Sequence, residues 1–192
     1  MRAKDKLNVI TICGSLRKAS YNATLARMLP KLAPPGMAIA PGPPFDAIPH
    51  YNEDVQNLSG FPDTLTRFAE AIHTADGVII VSPEHNWSVP GSLKNAIDWV
   101  SRMKDHALVN KPVALQSASD SLLGGARMQG HLRQALSSIN ALVLVRPEVF
   151  VNQVASKVDP TTLELKDQRT IEIVKQQLAR FEQFIRRFGG SW

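Results

Sequence analysis

The sequence is poor in the features that mark secreted, disulfide-bonded or membrane-spanning proteins. It contains one cysteine, Cys13, in 192 residues, so it can form no internal disulfide and no thiolate cluster for a metal. Its apolar runs are much shorter than the roughly 20 residues of a transmembrane helix. The opening MRAKDKLNVI lacks the long apolar stretch of a signal peptide. These absences predict a cytoplasmic protein with no membrane span.

Motifs of common nucleotide and metal sites are missing as well. Neither GxxxxGK[ST] nor GxGxxG occurs, and the five histidines show no ligand spacing, so we expect no metal site. Aromatic residues make up 6% of the chain and are not interleaved with a basic stripe, which argues against nucleic acid as a partner. The formal charge of +5 instead favours small anionic ligands such as nucleotides or oxyanions.

The apolar pattern indicates one domain, 1–192, in which strands and helices alternate. Hydrophobic residues amount to 44% and charged residues to 20%, as in ordinary globular proteins. Short runs rich in Val, Ile and Leu predict buried strands at 7–13, 36–42, 77–82, 112–118 and 141–147. Amphipathic helical patterns lie between them, and a long one closes the chain. This alternation predicts an α/β fold, a doubly wound parallel sheet with helices on both faces, although periodicity does not give the strand order.

Three loops that follow predicted strands have unusual content. They are GSLRKASYN (14–22), SPEHNWSVPG (82–91) and SASDSLLGGAR (117–127). In doubly wound sheets, ligands bind beyond the carboxyl ends of the strands, where these loops lie.

The first loop contains several groups that can bind an anion. Backbone N–H groups at a helix start, the side chains of Ser15, Ser20 and Asn22, and the charge of Arg17 suit a phosphate monoester. The alternative is a capped helix start, with Ser20 or Asn22 as the N-cap.

The second loop places Pro83, Glu84, His85, Asn86 and Trp87 together at a strand end. A planar ligand is one explanation, with backbone amides at its polar edge and Trp87 or His85 beside its face. A tight turn whose aromatic packs on a neighbour or a second subunit is the other.

The stretches GSLRKASYNATLAR, SPEHNWSVPGSLKNAIDWVSR and GGARMQGHLRQAL carry a family resemblance. Together they resemble the NADPH-dependent FMN reductase family, most closely its chromate and quinone reductase branch, over nearly the whole chain. The combination GSLRxxSxN with PExNxSxPGxLKNAIDW is more specific than either motif alone. The family often has tyrosines where His85 and Trp87 stand.

The resemblance implies a flavodoxin-like, five-stranded sheet of order 2-1-3-4-5 that binds FMN without a covalent bond. By similarity to the family, residues of the first loop hold the phosphate, the second loop lines the isoalloxazine, and serines after the fourth strand close over the rings. The cofactor-binding residues it implies are Ser15, Leu16, Arg17, Ser20, Tyr21, Asn22, Pro83, Glu84, His85, Asn86, Trp87, Ser117 and Ser119.

The activity that the resemblance implies is hydride transfer from NAD(P)H to FMN, followed by reduction of an acceptor in a ping-pong cycle. Quinones, chromate, azo dyes and free flavin are the expected acceptors, and a homodimer or homotetramer is the expected assembly. FMN carries the chemistry, so no catalytic side chain is expected, and Glu84 is interpreted as orienting its loop. Arg127, which follows two glycines at a helix start, is expected either to bind an anion or to take part in a subunit contact. The alternative function is a flavodoxin-type electron carrier, which the basic charge disfavours.

Overall fold

A computed structural model describes residues 5–189 as a parallel sheet with helices packed on both faces. The strands are β1 (Leu7–Cys13), β2 (Met37–Pro41), β3 (Gly77–Val81), β4 (Pro112–Ala118), β5 (Leu142–Val143) and β6 (Val149–Val151). The helices are α1 (Tyr21–Leu32), α2 (Glu53–Ser59), α3 (Asp63–Thr74), α4 (Gly91–Val100), α5 (Ala126–Ser137), α6 (Val154–Lys157) and α7 (Gln168–Phe188). The strand order is β2-β1-β3-β4-β5, and β6 also pairs with β4. The predicted flavodoxin-like order is therefore confirmed, with a sixth strand added.

The central strands have no face in contact with solvent. Every residue of β3 and β4 is buried, which explains why their sequences are continuous apolar runs rather than alternating ones. Helices α3, α4 and α5 pack on one face around Trp99, and α1 and α7 pack on the other around Phe181. No helix in the described part of the chain is both long and apolar enough to cross a membrane.

The predicted fifth strand, 141–147, is wrong in its extent. Only Leu142 and Val143 pair with the first half of β4, and β6 pairs with its second half. Between them the chain leaves the sheet, and Val145 is 65% exposed. Pro147 has no N–H to donate to a strand partner, so the ladder is interrupted there. The Leu144 carbonyl instead accepts a hydrogen bond from Nη1 of Arg133 at 2.8 Å.

A glutamine of the last helix donates hydrogen bonds to backbone carbonyls at this interruption of the ladder. Gln177 is buried on α7, and its Nε2 donates to the carbonyls of Leu115 at 3.1 Å and Pro147 at 2.8 Å. Its Oε1 accepts from Nε2 of Gln116 at 2.9 Å. Side chains thus satisfy backbone groups of β4 where no strand reaches them.

The segment 151–168 forms the end of β6, the short α6 and a small hairpin. Val158 and Leu165 make an antiparallel bridge. The Asp159 carboxylate accepts from the N–H groups of Thr161 and Thr162, each at 2.8 Å. These backbone hydrogen bonds lower the pKa of Asp159, because they favour its ionised form.

Candidate functional site

The loops that follow β1, β3 and β4 meet at one edge of the sheet. The order changes direction beside β1, with β2 on one side and β3 on the other, and ligands of doubly wound folds bind at such a point. Hydrogen bonds link the loops in pairs: Asn22 to Ala118, and Glu84 to Met128. The three loops singled out in the sequence therefore form one site.

Two polar side chains of the 14–22 loop have structural partners. The Ser20 hydroxyl accepts from the Ala23 N–H at 3.0 Å, so Ser20 is the N-cap of α1. The buried Asn22 side chain donates to the Ala118 carbonyl and accepts from the Ala118 N–H, both at 2.9 Å. The Asn22 amide thus joins α1 to the end of β4, and its role toward a phosphate stays a prediction.

The front of the same loop remains available to a ligand. Leu16 is 56% exposed, Arg17 is exposed, and Ser15 is half-buried. None of residues 5–189 accepts a hydrogen bond from the backbone N–H of these three residues. Free backbone N–H groups before a helix can bind an anion, and Arg17 adds a positive charge to the same loop, which we call the anion loop. A Cβ on Gly14 would lie 2.4 Å from Ser82 Oγ, so glycine lets this loop lie against the end of β3.

The 82–91 loop contains a two-residue turn. His85 and Ser88 exchange backbone hydrogen bonds of 3.0 and 2.9 Å, and the residues between them, Asn86 and Trp87, have φ of 48° and 66°. This is the type I′ geometry, which needs positive φ at both central residues. Asparagine adopts it readily, but a tryptophan there is strained.

The Trp87 indole projects from this turn and is 64% exposed. The Arg127 guanidinium lies 4.3 Å from the centre of its ring, a cation–π contact, so the structure assigns Arg127 a role beside Trp87. His131 Nδ1 lies 3.0 Å from Ser88 Oγ and supports the same turn. The sequence analysis missed His131, because only the fold brings α5 beside the turn.

Glu84 orients its loop through α5. This helix begins after Gly125, which has φ of 90° and gives no side-chain cap. The Glu84 carboxylate accepts from the Met128 N–H at 3.0 Å, and a carboxylate is stabilised at the positive end of a helix. The interpretation of Glu84 as an orienting residue agrees with this contact.

Ser117, in β4, and Ser119, just after it, make hydrogen bonds that stabilise the loop following this strand. Ser117 is fully buried, donates to the Gly124 carbonyl at 2.6 Å and accepts from Gln129 Nε2 at 2.9 Å. These hydrogen bonds use the Ser117 hydroxyl inside the protein, so its role over the rings stays a prediction. Ser119 is half-buried and accepts from the Ser121 N–H at 3.1 Å. Gln129 was not predicted from the sequence, where it shows only as a polar residue beside the apolar stripe of α5.

The remaining predicted residues lie around the same edge. Tyr21 is half-buried and packs against the core between α1 and α7, Pro83 is half-buried, and His85 is exposed. Four apolar side chains of the loops at this edge are exposed: Leu16, Trp87, Leu122 and Leu123. A phosphate site next to exposed apolar surface fits FMN, which joins a phosphate to a flat ring system.

Cys13 ends β1 beside the site without the properties of a reactive thiol. Burial raises the pKa of Cys13, and its Sγ donates to the Ser15 carbonyl at 3.6 Å. A raised thiol pKa lowers the thiolate fraction that nucleophilic chemistry needs.

Comparison with known proteins agrees with this geometry. The model of the family described as "NADPH-dependent FMN reductase" matches residues 7–156. A quinone reductase of Escherichia coli is 50% identical over 183 residues, which are 95% of this chain and 97% of that protein. An NAD(P)H-dependent FMN reductase of Pseudomonas aeruginosa is 40% identical over 186 residues, covering 97% and 99%.

A solved structure gives the same result for the fold. The flavoenzyme NAD(P)H:(acceptor) oxidoreductase FerB of Paracoccus denitrificans superposes with a TM-score of 0.84 at 28% identity, over 95% of this chain and 98% of that one. The anion loop, the neighbouring apolar surface and these relatives agree with one another. The chain belongs to the NADPH-dependent FMN reductase family, and it is an oxidoreductase that uses FMN and NAD(P)H.

Proposed function

We propose that this protein reduces quinones with NAD(P)H in two alternating half-reactions at one flavin face. The observation that carries the proposal is that one edge of the sheet has free backbone N–H groups at Ser15–Arg17 and, on its other loops, exposed apolar side chains of Trp87, Leu122 and Leu123. The relatives named quinone reductase support the choice of acceptor. In the balanced reaction, NAD(P)H, a proton and a quinone give NAD(P)⁺ and a hydroquinone.

The residues of this chain bind and orient the cofactor. The backbone N–H groups of residues 15–17 and the Arg17 side chain would hold the phosphate of FMN, and Glu84 fixes the 82–91 loop by its hydrogen bond to Met128. The exposed Trp87 indole would shield the ring system from water. FMN, when bound, accepts a hydride from NAD(P)H and passes the reducing equivalents on.

The exposed site explains alternating binding. The nicotinamide and the quinone are both flat, and both need the same uncovered surface beside Trp87. The oxidised nicotinamide must leave before the acceptor enters, which gives ping-pong kinetics. Because such a surface discriminates little among flat molecules, azo compounds and free flavin follow as further acceptors, and chromate as a small one.

We also propose a homodimer or homotetramer. The apolar side chains of Trp87, Leu122 and Leu123 are exposed. Tryptophan is enriched at protein–protein interfaces, so Trp87 in particular favours a subunit contact. Light scattering measures the mass of the assembly; a monomer with full FMN affinity and turnover contradicts this proposal. Residence in the cytoplasm stays a prediction.

Two measurements on the purified protein test the function. Bound FMN gives its visible absorbance, and NAD(P)H oxidation is followed with and without a quinone. Initial rates at several fixed quinone concentrations should give parallel double-reciprocal lines. Converging lines would contradict alternating binding. Bound FMN without NAD(P)H oxidation would favour the electron carrier instead.

A further inference from the structure

A second cavity lies beside the anion loop, on the side of β2 rather than on that of the 82–91 loop. Its volume is about 550 Å³. The end of β1 forms its floor, one face of α1 forms one wall, and the loop 41–46 forms the other. On α1 the lining residues are Ala23, Ala26, Arg27 and Pro30, a helical stripe whose two alanines leave the space open.

The outer wall of this cavity is rigid. The Gly42 N–H donates to the Thr11 carbonyl at 2.8 Å, which fixes the loop to β1. Phe45 is buried and contacts the Phe68 ring at 5.5 Å between centroids. Prolines 41, 43 and 44 have restricted φ. The cavity is therefore preformed, which reduces the entropy that a ligand loses on binding.

The lining combines apolar surface with one positive and one negative side chain, Arg27 and Asp46. The volume lies within the roughly 300–1,000 Å³ of small-molecule sites. Proline and alanine walls suit the faces of a flat base. The exposed Arg27 guanidinium, held by Thr24 Oγ1 at 3.0 Å, offers a charge to a phosphate. The exposed Asp46 carboxylate offers an acceptor to a hydroxyl or amino group.

The position of the cavity connects it to the flavin site. Ser15 and Leu16 line the cavity and also belong to the anion loop. A ligand in the cavity therefore lies next to the loop that we propose holds the FMN phosphate. We propose that this cavity binds an adenylate group, the AMP half of NAD(P)H or of FAD. The proposal rests on the proposed function, because that function supplies a dinucleotide substrate.

Cys13 provides the readout, because it lines the cavity and is the only cysteine of the chain. FMN-loaded protein is alkylated with iodoacetamide at alkaline pH, since burial raises the pKa of Cys13. AMP should slow alkylation several-fold, and adenosine should slow it less because it lacks the phosphate. Unchanged alkylation, together with no AMP binding in equilibrium dialysis, overturns the proposal.

Two pairs of variants locate the effect. Arg27→Ala should remove the protection by AMP, whereas Arg67→Ala, an exposed arginine of α3 outside the cavity, should keep it. Ala26→Trp should fill the cavity and abolish AMP binding in dialysis, and Ala71→Trp on α3 is its matched control. Retained FMN and an unchanged melting temperature show that each variant is folded. Equal AMP affinity within both pairs overturns the proposal.

Further arms separate the two sources of adenylate. Protection of Cys13 by NAD⁺ or NADP⁺ in FMN-loaded protein assigns the cavity to the dinucleotide substrate. Tighter binding of FAD than of FMN to flavin-free protein, lost in Arg27→Ala, assigns it to FAD. Protection by AMP without NAD(P)H oxidation supports the cavity and contradicts the proposed function. NAD(P)H oxidation without any protection of Cys13 by AMP, NAD⁺ or NADP⁺ supports the proposed function and contradicts the adenylate site.

Discussion

Glu84 and Met128 are joined by a 3.0 Å hydrogen bond between a carboxylate oxygen and a backbone N–H, across 44 residues of sequence. The bond ties the loop after β3 to the first turn of α5. Because α5 has no side-chain cap of its own at Gly125, this one carboxylate both caps a helix and positions a loop of the site.

Replacing Glu84 should therefore affect stability and flavin binding together. Glu84→Ala should lower the free energy of unfolding by about 1 kcal/mol, the usual cost of a lost N-cap, and weaken FMN binding. Glu84→Gln keeps an acceptor oxygen and should lose less of both. Urea unfolding and FMN fluorescence titration measure the two effects. Equal behaviour of the two variants would argue against the capping role.

The anion loop should distinguish FMN from riboflavin. Arg17→Ala removes a charge next to the free N–H groups of the loop, so it should weaken FMN binding while barely changing riboflavin binding. Parallel titrations of flavin-free protein with both flavins measure this. Equal losses for the two flavins would show that the loop does not hold the phosphate.

The Trp87 turn should reveal its strain through two substitutions. Trp87→Ala and Trp87→Gly both remove the ring contact with Arg127, but only glycine relieves the positive φ of 66°. Trp87→Gly should therefore be more stable than Trp87→Ala by about 1 kcal/mol in urea unfolding.

Both Trp87 variants should keep FMN and change the kinetic constants for quinones more than those for chromate. A quinone needs stacking area, and chromate is a small anion. Loss of flavin from both variants would instead place Trp87 in cofactor retention.

The Asn22 bridge should contribute to stability. Asn22→Ala leaves the N–H and carbonyl of Ala118 without their partner in a buried place, at a cost of about 1–3 kcal/mol. Ser15→Ala, on the half-buried front of the same loop, is the control and should cost little. Calorimetric or urea unfolding of the two variants compares them. A stable Asn22→Ala that binds FMN poorly would instead support a role of Asn22 toward the phosphate.

Asp167 should make stability depend on acidic pH. It caps α7, accepting from the Thr170 N–H at 2.8 Å and from the Thr170 hydroxyl at 2.6 Å, and these bonds lower the pKa of Asp167. A lowered folded-state pKa gives stability above the unfolded pKa of about 4 and loses it as the pH falls further. Asp167→Asn can cap but does not titrate, so its difference from wild type should shrink below about pH 4. A constant difference would contradict the assignment.

The sequence predicted the alternation of elements and the place of the site because both depend on local patterns. Buried strands give continuous apolar runs, and the loops after them are short and polar. The strand order came from family resemblance, since the apolar pattern is the same for any order. The division of the fifth strand was missed because Val145 looks like its neighbours, and its exposure depends on Pro147, Arg133 and Gln177.

The roles of individual polar residues were harder to predict. Ser117 stands at the end of β4 and Asn22 in the first turn of α1, where both are buried and hydrogen-bonded to residues of other elements. Those partners cannot be predicted from spacing along the chain, because only the fold brings them together.

The contact of Gln177 with β4 also has a consequence for synthesis on the ribosome. The Leu115 carbonyl of β4 accepts a hydrogen bond from Gln177, which lies on α7. Chains emerge from the amino end, so this carbonyl receives its partner later than the strands beside it receive theirs. A nascent chain that stalls before α7 leaves this carbonyl open to pairing with another chain.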